Sequence, residues 1–172
     1  TSCSIEQLVR VESELSRLSE TDELTGLYNR RGFWTRTSAL LTAPRSCGGV
    51  LAYLDLDGLK ELNDTRGHAV GDATIRAVAE ALCRVAGPDD VVARLGGDEF
   101  AVFLCDWTAG LDALRDRLAT EVISAGGSAS VGLATVESVE ELTVDALVVR
   151  ADALMYADKH LKRSRRSSGQ RP

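Results

Sequence analysis

The stretch VVARLGGDEFAVFL, residues 91–104, constrains the fold of this chain most strongly. Two apolar runs flank Gly96 and Gly97, and adjacent glycines allow the positive φ angles of a tight hairpin turn. The stretch therefore predicts two neighbouring antiparallel strands. Asp98 and Glu99 follow the glycines directly, so the sequence places two carboxylates where a strand enters an apolar core.

Apolar periodicity predicts the other elements around this hairpin. Residues 49–56 form a short apolar run typical of a buried strand, and residues 127–136 predict a further strand. Apolar residues at helical spacing predict four helices, over about 30–41, 71–85, 110–124 and 145–163. This order of elements predicts an α+β fold with α/β-like layering, in which helices cover a central, mostly antiparallel sheet.

An additional helix is predicted at the N-terminus, over residues 5–20. Its apolar residues recur at the 3-4-3 spacing of a coiled-coil seam: Leu8, Val11, Leu15 and Leu18. Two heptads are too few to predict a coiled coil from sequence, so two alternatives stay open. The helix is either a stalk that pairs two copies of the chain or an amphipathic helix packed on its own domain.

Composition disfavours several classes of protein. The net charge of −6 does not suit a protein that binds nucleic acid through phosphates. The four cysteines show no CxxC or Cys/His spacing, so no zinc site is expected. Neither a signal peptide nor an apolar run of about 18 residues is present. We therefore expect a cytoplasmic domain, which an upstream segment could tether to a membrane.

Asp55 and the hairpin acids form the clearest functional signal. Asp55 lies between two leucines of a predicted buried strand, where a carboxylate is costly unless it is paired or binds a metal. We infer that this strand neighbours the hairpin and that Asp55 shares a divalent cation with Asp98 and Glu99. Oxygen ligands favour Mg²⁺ or Mn²⁺, and two such ions about 3.5–4 Å apart serve in-line phosphoryl transfer. The alternative is a turn-capping Asp55 with solvent-exposed hairpin acids.

The segment DGLKELNDTRGHAVGD, residues 57–72, carries groups suited to a nucleotide. Gly58 lets backbone amides approach a phosphate, and Lys60 can supply positive charge to a transferring phosphoryl group. Asn63 and Asp72 match a guanine edge, since the carboxylate accepts from the ring N–H and amino group while the amide addresses the carbonyl and ring nitrogen. An adenine edge would leave Asp72 unsatisfied. Helix capping and turn formation are the structural alternatives.

Four stretches together resemble the GGDEF domain of the diguanylate cyclases. They are DELTGLYNRRGF (22–33), DLDGLKELNDTRGHAVGD (55–72), RLGGDEF (94–100) and ADALMYADKHLKR (151–163). The resemblance implies a sheet-and-helix fold like the palm of polymerases and class III nucleotide cyclases. It also implies an enzyme that condenses two GTP into cyclic di-GMP and releases two pyrophosphates. Each domain of a homodimer would hold one GTP in a half-site, so catalysis would need two apposed copies.

The resemblance implies a metal and catalytic set. Asp55, Asp98 and the backbone carbonyl of Leu56 would hold two Mg²⁺ or Mn²⁺ ions per half-site, with Glu99 as the neighbouring acid. Asp98 or Glu99 would assist deprotonation of the attacking 3′-hydroxyl. Lys60 would stabilise the charge that develops during transfer.

The resemblance also implies the substrate contacts. They fall at Gly58, Leu59, Asn63, His68, Asp72, Gly96, Gly97, Lys159 and Arg163. The backbone amides around Gly58 would hold phosphates, and Lys159 and Arg163 would reach the terminal phosphates. Gly97 would leave room for substrate over the hairpin tip.

The chain departs from the family pattern in three places, one of which is Leu59 at the usual position of an aromatic residue. Gly87 replaces the arginine of an Arg-x-x-Asp product-inhibition site while Asp90 is kept, so we predict weak or absent product inhibition through that surface. Near the end, Lys162 replaces a glycine and Ser164 an asparagine. We therefore expect the loop after the final helix to differ.

Three functional hypotheses follow, and an active diguanylate cyclase leads them. A module that binds GTP or cyclic di-GMP without turnover is disfavoured because no metal-binding acid is lost. An ATP-using relative is disfavoured by Asp72. On the leading hypothesis the chain comprises a linker or stalk helix (1–20), a catalytic GGDEF domain (21–165) and a polar tail (166–172). An upstream sensor domain is expected in the full-length protein.

Overall fold

The computed structural model describes residues 20–43, 49–136 and 143–168. These residues form α1 Arg30–Thr42, β1 Gly49–Leu56, α2 Leu59–Arg66, α3 His68–Val85, β2 Val91–Gly96, β3 Glu99–Cys105, α4 Leu111–Ser124, β4 Ala129–Thr135 and α5 Val144–Ser168. The helix predicted over residues 5–20 lies outside the described residues, apart from Glu20. None of the described helices is long and apolar enough to cross a membrane.

The four strands form one antiparallel sheet in the order β2-β3-β1-β4. The hairpin predicted from the Gly-Gly stretch is β2–β3, and β1 pairs with β3. The register pairs Asp55 with Glu99 on β3 and with Ser130 on β4. Directly paired residues of antiparallel strands point to the same face. The three polar side chains therefore share one face, close to the end of β1.

Helices cover both faces of this sheet, which confirms the predicted α+β architecture. On one face α3 and α4 pack against the even-numbered residues of β1, such as Leu54. On the other face α1 and α5 pack against odd-numbered residues, such as Leu51 and Tyr53. All eight residues of β1 are buried, Asp55 included. A carboxylate in this strand must therefore be compensated locally.

The segment after β1 differs from the sequence prediction. No helix was predicted between residues 57 and 70, yet α2 occupies Leu59–Arg66, and α3 begins at His68 rather than at residue 71. The amphipathic pattern was missing because none of the residues of α2 is buried. Gly58 (φ 76°) and Gly67 (φ 84°) flank α2 in left-handed or related conformations, which a glycine adopts at little cost.

The final helix is also longer than predicted. It runs to Ser168 instead of ending at residue 163. Lys162 stands where the family pattern has a glycine, and lysine is a much better helix former than glycine. The helix therefore continues through positions where the sequence analysis expected a loop.

Candidate active site

A cavity of about 420 Å³ lies where three parts of the fold meet. These are the turn from β1 into α2, the tip of the β2–β3 hairpin and the C-terminal half of α5. The lining residues are Leu56, Asp57, Gly58, Leu59, Lys60, Glu61, Asp64, Asp98, Lys159, Lys162 and Arg163. Seven of the predicted site residues are among them: Leu56, Gly58, Leu59, Lys60, Asp98, Lys159 and Arg163.

Asp55 is compensated by a lysine from the far end of the chain. Its carboxyl group accepts a 2.6 Å hydrogen bond from Lys159 Nζ, and the residue is only 9% exposed. Burial raises the pKa of Asp55, the ammonium of Lys159 opposes that rise, and the charges of Asp98 and Asp57 add to it. The balance leaves the pKa above its usual value of 3.8. A group whose negative charge is this costly favours a cation beside it.

Asp98 is held next to Asp55 by the main chain. The Leu56 amide donates to the Asp98 carbonyl oxygen at 2.9 Å. This hydrogen bond joins the two segments that carry the acids. Asp98 also lines the cavity. The structure thus brings both predicted metal-binding acids to one place, beside the Leu56 residue whose carbonyl was assigned as a ligand.

Asp57 lines the cavity too, and the sequence analysis did not single it out. Its carboxylate accepts hydrogen bonds from Ser130 Oγ at 2.9 Å and Ser128 Oγ at 3.3 Å. Its amide donates to the Ser128 carbonyl at 2.7 Å. The signal was the second acid of the DLD triplet. Its partners lie on β4 and just before it, more than 70 residues away.

Glu99 sits in a small polar network beneath the hairpin. It pairs in register with Asp55, and Arg30 approaches its carboxylate at 3.9 Å. Burial and the charge of Glu99 raise the pKa of Tyr53, and the hydrogen bond with Glu99 adds to the rise. Tyr53 therefore keeps its proton and donates a hydrogen bond to Glu99. Tyr53 and Arg30 are contacts that the sequence analysis missed.

The hairpin tip is fixed by Arg94. Its guanidinium donates to the Gly97 carbonyl from Nη2 at 2.8 Å and from Nε at 3.1 Å. It also contacts both carboxylate oxygens of Asp22 at 3.2 and 3.3 Å. Burial alone would raise the pKa of Asp22, but hydrogen bonds from Thr25 and the charge of Arg94 outweigh it, and the pKa is lowered.

The hairpin glycines do not adopt the positive φ angles that the sequence analysis expected of the turn. Neither Gly96 nor Gly97 has a positive φ, so the turn conformation does not explain them. Instead, the ladder shifts register between Arg94 and Gly96. Apart from Gly97 itself and its two chain neighbours, no described residue has an atom within 4 Å of the position that a Cβ on Gly97 would take. The space over the hairpin tip is therefore open on the side that a side chain would fill.

The two predicted guanine-binding residues lie on α2 and α3. A second cavity of about 270 Å³ shares the turn after β1 with the first and reaches Leu62 on α2, Thr74 on α3 and residues 126–128 before β4. Asn63 packs against Gly71, the residue before Asp72, so the fold brings the two predicted groups to neighbouring positions. His68 is exposed at the first position of α3. Asn63, His68 and Asp72 line neither of these two cavities.

Positive charge and free helix amides face the larger cavity. Lys60 and Arg163 line it together with Lys159. The first backbone amides of α2, which begins at Leu59, have no acceptor within the helix, and a helix N-terminus attracts anions. The arrangement suits a bound polyphosphate.

Lys162 also lines the cavity but is engaged elsewhere. Its Nζ donates to the Ala129 carbonyl at 2.6 Å and contacts Asp158 at 2.8 Å. Asp158 in turn accepts from the Val131 amide at 3.0 Å. Because β4 is an edge strand, these side chains satisfy backbone groups that lack a neighbouring strand.

The donor set at the acids fits Mg²⁺ or Mn²⁺. Within residues 20–43, 49–136 and 143–168, no group of three or more His, Cys, Asp or Glu side chains is arranged to hold a metal. Mg²⁺ commonly uses only one or two protein carboxylates and completes its octahedron with water and substrate phosphates. Asp55 and Asp98 lie next to a cavity that suits a bound polyphosphate, and they match that open type of site.

The predicted product-inhibition surface is altered. Both oxygens of Asp90 accept backbone hydrogen bonds at 2.7 Å, one from Gly87 and one from Cys105. Asp90, the residue of the Arg-x-x-Asp pattern that is kept, therefore holds the loop before β2 against the end of β3.

Comparisons with known proteins point in one direction. A family model described as "Diguanylate cyclase, GGDEF domain" matches residues 19–165. The chain is 34% identical over 170 residues to the diguanylate cyclase DgcP of Escherichia coli, covering 92% of this chain and 50% of DgcP. It is 42% identical over 156 residues to an uncharacterized 19.3 kDa protein of Streptomyces ambofaciens, covering 86% and 81%. The crystal structure of the coiled coil and GGDEF domain of DgcB from Caulobacter crescentus, in complex with c-di-GMP, matches with a TM-score of 0.73 and 30% identity, covering 92% and 90%. The chain thus spans about half the length of DgcP.

Proposed function

Because this chain belongs to the GGDEF domain family of diguanylate cyclases, we propose that it condenses two molecules of GTP into cyclic di-GMP and releases two pyrophosphates. The proposal rests above all on the convergence of β1, the hairpin tip and α5 on one cavity. Acids, basic side chains and a helix N-terminus meet there. These are the groups that phosphoryl transfer requires, since catalysis of such transfers consists mainly of positioning and charge stabilisation.

In this proposal the substrate's phosphates lie between α2 and α5. The amides at the start of α2 bind phosphate oxygens, and Lys60 stabilises the charge that develops at the reacting phosphorus. Lys159 and Arg163 bind the terminal phosphates that leave as pyrophosphate. Lys159 also donates a hydrogen bond to Asp55, so this one ammonium group would face both the buried acid and the phosphates.

Asp55 and Asp98, with the Leu56 carbonyl, would hold two divalent cations in each half-site. When bound, Mg²⁺ would neutralise triphosphate charge and lower the pKa of the attacking hydroxyl. Asp98 or Glu99 takes the proton from the 3′-hydroxyl, whose oxygen then forms the bond to the α-phosphorus of the other GTP. The bond from that phosphorus to the pyrophosphate oxygen breaks. Tyr53 orients Glu99 by donating a hydrogen bond to it.

Guanine recognition is assigned to Asn63 and Asp72, with His68 nearby. The cavity that reaches Leu62 on α2 and Thr74 on α3 shares Gly58 and Leu59 with the phosphate region. In this proposal the base lies against these two helices while its triphosphate stays at the acids.

The reaction is proposed to need a homodimer, because one domain holds one GTP. The heptad pattern of residues 5–20 supplies a candidate pairing helix, and the related DgcB fragment contains a coiled coil as well as a GGDEF domain. An upstream sensor domain that sets the spacing of the two half-sites belongs to the same proposal.

The test is product analysis after incubation with GTP or ATP and Mg²⁺. Cyclic di-GMP should form from GTP alone. Asp55→Asn and Asp98→Ala should each lower turnover at least about a hundredfold, since even partners of metal ligands affect activity by up to that factor. Asp116→Asn removes an exposed carboxylate on α4 and serves as the control with unchanged turnover. Binding of GTP without any product, at concentrations where the chain is dimeric, would instead favour a binding module.

A further inference from the structure

The α2–α3 connection contains an unusually close contact. The chain turns at Gly67, whose amide donates to the Asn63 carbonyl at 2.8 Å, and α3 then passes the Asn63 side chain at Gly71. A Cβ built on Gly71 would stand 1.9 Å from Asn63 Oδ1 and 2.9 Å from its Cγ. Both distances are shorter than real Cβ contacts. The Asn63 carboxamide therefore occupies the space that any side chain at position 71 would fill.

This contact carries two stability costs. Glycine within a helix is less stable than alanine, and Gly71 is the fourth of 18 residues in α3. In addition, Asn63 Oδ1 is buried without a hydrogen-bond partner among the described residues, which is unfavourable for a polar atom. Gly71 is also buried, so solvent exposure does not explain the missing side chain.

We propose that Gly71 is a positioning residue that seats the Asn63 carboxamide for recognition of the guanine base. The inference rests on the proposed function, in which Asn63 and Asp72 read guanine. Because Gly71 precedes Asp72 in α3, seating Asn63 against Gly71 fixes the separation of the two recognition groups. A side chain at position 71 would displace Asn63 and leave Asp72 on its helix. The base would then lose one of its two contacts.

The experiment measures base preference without turnover. The probes are 3′-deoxy-GTP and 3′-deoxy-ATP with Mg²⁺, which lack the attacking hydroxyl. The wild-type chain should bind the guanine nucleotide more tightly, and Gly71→Ala should reduce that preference about tenfold, the equivalent of one hydrogen bond. Asn63→Ala should reduce it equally, and the double variant should be no worse than Asn63→Ala alone. Gly87→Ala is the matched control, since its Cβ would lie 3.4 Å from Asp90 Oδ2, an ordinary contact.

The outcomes distinguish a failure of guanine recognition in the proposed function from a failure of the role proposed for Gly71. A wild-type chain without base preference would remove guanine reading from the proposed function. A wild-type preference that survives in Gly71→Ala would overturn the role of Gly71 alone. If Gly71→Ala fails to fold, the double variant decides. A double variant that folds and melts at or above the temperature of Asn63→Ala supports the clash with Asn63, whereas a double variant that also fails to fold overturns it.

Discussion

Replacing Arg94 by alanine should destabilise the fold by an amount that the geometry lets us estimate. The guanidinium joins Asp22, which precedes α1, to the Gly97 carbonyl at the hairpin tip. The Arg94 and Asp22 side chains are 13% and 22% exposed, so both are shielded from water. Charge-assisted hydrogen bonds of this kind contribute about 1.5–3 kcal/mol each. Asp22 keeps its bonds from Thr25 at 2.8 and 3.0 Å, so the lower figure applies to each of the two connections. We expect a loss of about 3 kcal/mol in the free energy of unfolding.

Urea denaturation at neutral pH measures this loss, and Arg84→Ala is the matched control. Arg84 forms a single 3.0 Å ion pair with Glu121, but its side chain is 53% exposed. Exposed pairs contribute at most about 1 kcal/mol. If the two variants lose similar free energy, or if Arg94→Ala loses less than about 1 kcal/mol, the assignment of Arg94 as the anchor of the hairpin is wrong.

The pH dependence of this stability tests the same interaction separately. The pKa of Asp22 is lowered in the fold, so its contribution is complete above the unfolded pKa, near 3.9, and is lost as the pH falls through the still lower folded pKa. The stability difference between wild type and Arg94→Ala should therefore narrow in this acidic range. It should not vanish, because the bonds to Gly97 do not titrate. A difference that stays constant down to about pH 2 would show that the ion pair contributes nothing.

Three further predictions concern product binding, thermal stability and assembly. Cyclic di-GMP titrated into the chain should not bind tightly at the surface around Asp90, because that carboxylate is already bonded to two backbone amides; tight binding that Asp90→Ala removes, measured by calorimetry, would contradict this. Lys162→Ala should lower the melting temperature by a few degrees, since about 1 kcal/mol shifts the midpoint of such a domain by roughly 2–8 °C, and Lys162→Arg should restore part of it; equal melting of all three proteins would show that the bond to Ala129 is unimportant. Specific cyclase activity should rise steeply with protein concentration if assembly limits the rate, whereas a flat profile would show that the chain is already dimeric or acts alone.

The sequence predicted the sheet and the acidic part of the site because both have strong local signals. The hairpin is visible from two apolar runs around Gly96 and Gly97, and Asp55 is conspicuous because charge is rare inside a buried strand. The neighbour relation of β1 and β3 followed from the cost of burying these acids. It did not require any knowledge of the connecting helices.

Other features had no local signal. Helix α2 buries none of its residues, so the apolar periodicity that reveals helices was absent. The serines that hold Asp57 and the arginine that holds Gly97 make ordinary polar patterns until the fold brings them together. The positive φ angles expected of the hairpin glycines were also wrong. Turn statistics describe an average hairpin, and this one contains a register shift beside Gly96.

Lys159 shows how core packing can determine the chemistry of the site. Leu147, Ala151 and Met155 are buried on one stripe of α5, and Lys159 is the next residue at the same spacing of four. Gly132 on β4 makes the packing tight, since a Cβ there would stand within 3 Å of the α5 backbone at both Ala151 and Met155. The stripe therefore fixes the rotation of α5 against the sheet and directs Lys159 at the point where the apolar surface ends. Asp55 lies at that point, 104 residues away in sequence and 2.6 Å away in space. The register of an apolar helix face thus places Lys159 beside the buried acid. The lysine that continues this apolar stripe is the sequence signal that links α5 to Asp55.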